Sequence, residues 1–183
     1  MKKIFFILTL LLTTLSAWSE ITYRSYYNSI YGKEFPIKIN ASGDVLEEVW
    51  IGVSTEDETD AYIIVSGKDL EKFRGALKLV RDDLDNFKYA VRENNIGDAI
   101  RIIPDIFPKV DVCWIGTGLT MGTAFNEKID MSLEVKDGHV CGAKWSEEIK
   151  DSEIPNNFIW LCFNLDIQDF NNLIYQLLNP LGH

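Results

Sequence analysis

The chain has 183 residues, with 28 acidic side chains against 18 basic ones and only two histidines. This length is sufficient for one domain with its own hydrophobic core. The formal charge of −10 at pH 7 opposes binding to phosphate backbones and to anionic lipid headgroups. We therefore expect neither nucleic acid nor a membrane among the partners of this protein.

The first 19 residues have the pattern of a secretory signal peptide. Lys2 and Lys3 precede an apolar run over 4–15, and Ala17 and Ser19 are small residues at the two positions that a signal peptidase reads. The run is shorter than the roughly 20 residues that cross a bilayer. We expect cleavage after Ser19 and a secreted or periplasmic protein. Cleavage would remove two basic and no acidic residues, which changes the formal charge from −10 to −12.

The first predicted strand, over 21–31, is rich in tyrosine. Tyr23, Tyr27 and Tyr31 alternate with other residues on one side of this strand, and Tyr26 lies beside them. Tyrosine offers a rigid contact area with a polar tip, as recognition surfaces require. A strand at the edge of a sheet can also accept a partner strand. The four tyrosines either form a binding surface or pack on the neighbouring strand.

Two short strands, a third strand and a long helix follow. A turn at 42–44 joins the predicted strands over 37–39 and 45–50, and an acidic loop over 56–60 precedes a strand over 61–65. From Asp69 to about Asn94, apolar residues recur at spacings of three and four, which predicts an amphipathic helix with Ser66 as its cap. The apolar face comprises Leu70, Phe73, Leu77, Val80, Leu84, Phe87 and Val91.

The second half repeats this alternation of strands and a helix. Strands are predicted over 110–115, over the alternating segment 125–133, over 133–135 and 140–145 around a turn, and over 158–163. A helix begins near Ile167 and ends at Asn179-Pro180. The glycine-rich segment 116–122 resembles a dinucleotide loop, but a β-pattern follows it instead of a helix, which favours a turn or bulge and no cofactor.

The cysteines leave two states open. Cys113 and Cys162 lie in apolar runs where a free thiol behaves as a small hydrophobic residue, and buried free thiols are our default expectation. Export would also permit one disulfide among Cys113, Cys141 and Cys162.

Equivalent residues recur at a nearly constant spacing, which indicates an internal duplication. Gly43 and Gly138 are 95 positions apart, as are Trp50 and Trp145, and Phe73 lies 97 positions before Phe170. We expect a single α+β domain over 20–183 made of two ββββα units, over about 20–95 and about 109–180. Its antiparallel strands would form a sheet with both helices packed on the apolar side.

Short motifs resemble those of a family of small uncharacterised bacterial proteins. They are the segment Gly67-Lys68-Asp69-Leu70-Glu71-Lys72-Phe73, Ala90, the helix end Glu93-Asn94-Asn95 and the segment Phe107-Pro108-Lys109-Val110-Asp111. The family is similar in its Asp-x-x-x-Phe helix start, Glu-Asn-Asn helix end and aromatic-rich strand region. The resemblance covers roughly residues 60 to 115. It supports the domain boundaries and assigns no functional residue.

The sequence favours a non-catalytic function. The acidic residues Glu56, Glu58 and Asp60 lack the spacing of a calcium loop. A zinc site or a catalytic triad needs a histidine that is fixed in a pocket, and this is not expected of His139 in a turn or of His183 at the last position. We expect no metal site and no catalytic residue. We expect instead an exported binding module that recognises a protein or a cell-surface component.

The alternative is an exported hydrolase with paired carboxylates. A second alternative, a Whirly-like binder of single-stranded nucleic acid, follows from the strand count and is disfavoured by charge.

Overall fold

The computed structural model describes residues 19–116 and 121–181. The predicted signal peptide, apart from Ser19, and residues 117–120 of the glycine-rich segment lie outside the described residues. The described residues form ten strands and two α-helices, so the α+β class is confirmed. The strands are β1 (Ser19–Asn28), β2 (Lys33–Ser42), β3 (Val45–Thr55), β4 (Asp60–Ser66), β5 (Ala99–Ile103), β6 (Val110–Ile115), β7 (Met121–Glu127), β8 (Met131–Lys136), β9 (His139–Lys150) and β10 (Phe158–Leu165); the helices are α1 (Leu70–Asn94) and α2 (Ile167–Gln176).

All ten strands belong to one antiparallel sheet that has two parts. Sheet A has the order β1-β2-β3-β4-β6-β7, and sheet B has the order β5-β8-β9-β10. The two parts join where β10 pairs with the end of β3, with Leu161 opposite Thr55 and Cys162 opposite Ser54. The pairing of β2 with β3 ends at Ile51. Beyond this residue, β10 pairs with β3 in place of β2.

The helix α1 follows the predicted apolar stripe closely. Its buried side chains include Phe73, which is fully buried, while Phe87 is only partly buried. A 3-10 turn over Gly67–Asp69 precedes the helix, and Ser66 makes no side-chain capping bond. The helix ends at Asn95 in the left-handed conformation with φ 48°, which asparagine tolerates.

The helix α2 is joined to the β1–β2 turn by buried polar contacts. Asp166 caps the helix, and Asp169 completes a capping box with it. The carboxylate of Asp169 is 1% exposed and also accepts bonds from the Ser29 amide at 2.8 Å and the Ser29 hydroxyl at 3.1 Å. A buried polar group is costly unless it has such hydrogen-bond partners. This contact fixes the end of β1 against the start of α2.

Packing against Trp114 explains one glycine of the glycine-rich segment. Gly122 lies in β7, and a Cβ atom at this position would meet the Trp114 ring at 2.2 Å. Glycine here lets the Trp114 indole, 1% exposed, lie against the β7 backbone. The segment therefore continues into a strand, as its β-pattern predicts.

The two predicted units differ from the observed topology. Strands β6 and β7 extend sheet A beyond β4, and the first strand of sheet B is β5, which the sequence analysis did not identify. The duplication is not confirmed. Trp145 is 2% exposed and belongs to the core, whereas Trp50 lies on the opposite side of its strand from the buried Val49 and Ile51. The two tryptophans therefore do not occupy equivalent positions.

The cysteines are unpaired in the structure: Cys113 is buried, Cys162 is partly buried and Cys141 is exposed. Within residues 19–116 and 121–181, no helix has the length and apolar character needed to cross a bilayer.

Candidate functional site

The structure separates the four tyrosines proposed for the first strand. Tyr23 is 65% exposed and Tyr27 is 48% exposed, and both project from the side of β1 that faces away from the helices. Tyr26 is 1% exposed, and its hydroxyl donates to the Gly52 carbonyl at 2.9 Å. Its placement on a binding surface is corrected, because its position in the alternation turns it into the core. Tyr31 is partly buried in the β1–β2 turn, where burial raises its pKa to about 12.

Strand register extends the surface of Tyr23 across sheet A. Tyr23 lies opposite Lys38 of β2, which lies opposite Trp50 of β3. Residues directly opposite each other share a face of the sheet. Tyr23, Lys38 and Trp50 therefore form one row on the face that points away from the core.

Lys38 is the centre of a cluster on this face. Its ammonium nitrogen lies 4.2 Å from the centre of the Tyr62 ring and 5.6 Å from that of Trp50. The two rings meet edge to face, with centres 5.9 Å apart. Such contacts are worth roughly 0.5 to 2 kcal/mol, depending on desolvation. We call the set Tyr23, Tyr27, Lys38, Trp50 and Tyr62 the aromatic face.

Two small residues, Gly52 and Cys113, lie next to the rings of the aromatic face. Gly52 has no side chain, and a Cβ atom there would lie 2.8 Å from Cδ of Pro36, so the proline ring can lie close to β3. Cys113 lies opposite Tyr62 on the next strand and is buried. Burial raises the pKa of the Cys113 thiol, although the charge of Lys38 opposes this effect. The thiol is therefore held in its unreactive form.

The aromatic face offers several kinds of contact. The exposed Tyr23 and Tyr27 offer apolar ring surface and hydroxyl hydrogen bonds, and the partly exposed Lys38 supplies a positive charge. The Trp50 ring is partly exposed, and Tyr62, which is 8% exposed, packs beneath Lys38. Among the described residues, no group of three or more histidine, cysteine, aspartate or glutamate side chains is placed to hold a metal ion. His139 is the exposed first residue of β9, directly after the β8–β9 turn, and Glu56, Glu58 and Asp60 lie in or next to the β3–β4 turn.

A second feature is a group of carboxylates at the end of β7. Burial, followed by the negative charges of Glu147 and Asp111, raises the pKa of Glu127, and Lys109 opposes the shift. Glu147 accepts a bond from the Trp145 indole at 3.0 Å. A carboxyl with a raised pKa beside a second acid is the arrangement that acid catalysis uses. Glu127 and Glu147 are therefore the two carboxylates on which the hydrolase alternative can be tested.

The comparisons with known proteins assign no family to the chain. Models of protein families, curated proteins and solved structures were compared with it, and none matches.

Three residues of the aromatic face were missed as functional residues in the sequence analysis. They are Lys38, Trp50 and Tyr62, each of which lies in a predicted strand. Lys38 and Trp50 alternate with the buried pairs Ile37–Ile39 and Val49–Ile51, so a signal for their outward position was present. Their meeting on one face depends on strand register, which the alternation does not give.

Proposed function

We propose that this protein is an exported, non-catalytic binding module that recognises a protein or another cell-surface component through the aromatic face. The observation that carries the proposal is the pair of exposed rings, Tyr23 and Tyr27, beside the cluster of Lys38, Trp50 and Tyr62. Aromatic side chains are enriched at the energetic centres of protein interfaces. A folded protein exposes such a group at a cost in solubility that a partner would offset.

Export is the second part of the proposal. Its support is the signal-peptide pattern of residues 1–19, followed directly by β1. Removal of these residues would leave the pairing of β1 with β2 intact from Glu20 opposite Ala41 onward. The fold is therefore compatible with the predicted cleavage point.

A duplication is a third, separate proposal. Its support is that β2, β3 and β4 are neighbours in the same order as β8, β9 and β10, and that a helix follows each set. The difference between Trp50 and Trp145 requires a shift of register between the two units after duplication.

Binding to the envelope of the producing cells tests the function. Labelled protein would be sedimented with the envelope fraction, and the affinity compared with that of the double variant Tyr23→Ser/Tyr27→Ser. We expect at least a tenfold loss of affinity, equivalent to about 1.4 kcal/mol. The matched control is Leu79→Ser/Tyr89→Ser, which changes two side chains of α1 that are 61% and 59% exposed.

Three results bear on the proposal. Loss in the tyrosine variant with retention in the α1 control supports it. Equal affinity of the two double variants contradicts the assignment of the aromatic face. Failure of the wild-type protein to sediment with the envelope contradicts a cell-surface partner.

The hydrolase alternative has its own test. The raised pKa of Glu127 beside Glu147 favours this alternative. Hydrolysis of a panel of glycosides by the purified protein, lost in Glu127→Gln, would favour a hydrolase over a binding module. We expect no hydrolysis.

A further inference from the structure

The free edge of β1 differs from the other edges of the sheet. Among the described residues, β1 pairs only with β2, and this pairing runs over ten residues without a bulge. Natural edge strands are protected by shortness, bulges, proline, lysine or a covering segment. The sequence of β1, SEITYRSYYN, contains neither proline nor lysine. Its one basic residue, Arg24, turns inward and donates to the carbonyls of Gln176 at 2.7 Å and Asn179 at 2.6 Å.

The other edges show such protection. Along β7, the carbonyl of Thr123 accepts a bond from the Ser152 amide at 2.7 Å, and the Asp151 carboxylate accepts one from the Thr123 amide at 3.3 Å. The pairing of β7 with β6 also contains an irregularity between Val110 and Val112. Strand β5 is only five residues long. Within the described part of the chain, the long and regular edge of β1 is therefore the exception.

The register of β1 decides which of its backbone groups face outward. Ser25 lies opposite Pro36, which has no N–H group. An antiparallel pair that exchanges hydrogen bonds needs an N–H on both residues, so Ser25 and Pro36 form a non-hydrogen-bonded pair. The N–H and C=O of Ser25 therefore point to the free edge. Since this pattern alternates, those of Tyr23 and Tyr27 point the same way.

We infer that the edge of β1 pairs antiparallel with β1 of a second copy of this chain. A twofold axis midway between the two copies of Ser25 places Ser25 opposite Ser25 of the second copy and Tyr23 opposite Tyr27 of the second copy. All of these residues present the N–H and C=O groups that such pairs exchange. The same register makes aromatic cross-strand pairs on both sides of the axis.

Charge and exposure favour a second copy as the occupant of this edge. The chain is strongly acidic, but β1 carries one acidic residue, Glu20, and one basic residue, so like-charge repulsion along β1 is small. Three exposed apolar side chains of β1 itself, Ile21, Tyr23 and Tyr27, lie on the outer face of the sheet beside this edge. Apolar side chains beside a twofold axis meet the same residues of the second copy, as a self-complementary interface requires.

The inference goes beyond the proposed function and does not depend on it. Light scattering of the purified protein after size exclusion tests it, and we expect twice the mass of one chain. Ser25→Pro removes the outward N–H, and proline is tolerated at an edge position of this kind. We expect this variant to be a monomer with an unchanged circular dichroism spectrum, while the control Ser25→Thr remains a dimer.

A disulfide variant keeps the test valid if Ser25→Pro fails to fold. Residues of a hydrogen-bonded antiparallel pair have Cα atoms about 5.5 Å apart, within the roughly 4.4 to 6.8 Å that a disulfide spans. Ser25→Cys in a Cys141→Ser background should oxidise to a covalent dimer, and Glu34→Cys in the same background should not. A monomeric wild-type protein at millimolar concentration, or a Ser25→Pro protein that remains a dimer, would overturn the inference. Equal cross-linking of both cysteine variants would overturn the register.

Discussion

At the scale of single residues, Glu127 provides a pH-dependent prediction. Burial and the charges of Glu147 and Asp111 raise its pKa, so the ionised carboxylate destabilises the folded state at pH 7. Glu127→Gln should raise the melting temperature at pH 7 by about 1 to 2 °C, because a partly exposed charge is worth about 0.5 kcal/mol. The gain should vanish as the pH falls through the pKa of Glu127, since the wild-type carboxyl then carries a proton.

The control for this variant is Glu56→Gln in the exposed β3–β4 turn. It removes one negative charge of the acidic chain without touching the carboxylate group of β7. Thermal melts of both variants between pH 4 and pH 7 decide the matter. An equal gain from the two substitutions would show that net charge, and not the neighbourhood of Glu127, determines the effect.

The positions of individual side chains were only partly predictable from the sequence. Alternation predicted that Tyr23, Tyr27 and Tyr31 share a side of the first strand. Tyr23 and Tyr27 are both exposed, whereas Tyr31 lies beyond the end of β1, in the turn, and is partly buried. Tyr26 and Arg24 lie on the other side, where Arg24 donates to the end of α2 and Tyr26 enters the core. Which side of β1 faces inward depends on its contact with α2, which is distant in sequence, and the local alternation does not predict this contact.

At the scale of elements, α1 is stabilised by its buried stripe. Phe73 is 0% exposed and meets Phe107 edge to face with ring centres 5.3 Å apart. Phe73→Ala should lower the free energy of unfolding by about 3 to 5 kcal/mol through lost burial and a cavity. Leu79→Ala on the opposite side of α1, where the side chain is 61% exposed, should change it by less than about 0.5 kcal/mol. Urea denaturation measures both values, and a loss below about 1 kcal/mol for Phe73→Ala would contradict this assignment of the buried face.

The elements that the sequence predicted best are those with a strong period. The helix α1 has an apolar residue at every third or fourth position, and Asn95 ends it in a conformation that asparagine tolerates. The strand β5 was missed because Ile100 and Ile102, 70% and 65% exposed, point into solvent. Its pairing with β8 defines it as a strand, and this pairing is not encoded in a local pattern.

At the scale of the whole molecule, contacts between segments distant in sequence determine the architecture. Strand β6 pairs with β4 although α1 and β5 lie between them in the sequence. Strand β10 pairs with the last residues of β3. The carboxylate of Asp151 accepts bonds from the amides of Thr123, Glu153 and Ile154, which fastens sheet B to the edge of sheet A. Such non-local pairings exceed what periodicity and spacing can predict, which is why the order of the strands in the sheet differs from that of the two predicted units.

The central claim is that the aromatic face meets a partner, and tyrosine nitration with mass spectrometry tests it most directly. In the free protein, Tyr23, Tyr27, Tyr89 and Tyr175 should all react, because each is exposed. With the envelope fraction of the producing cells present, Tyr23 and Tyr27 should be protected, while Tyr89 on α1 and Tyr175 on α2 remain reactive. Unchanged nitration of Tyr23 and Tyr27 in the presence of the envelope would contradict the claim.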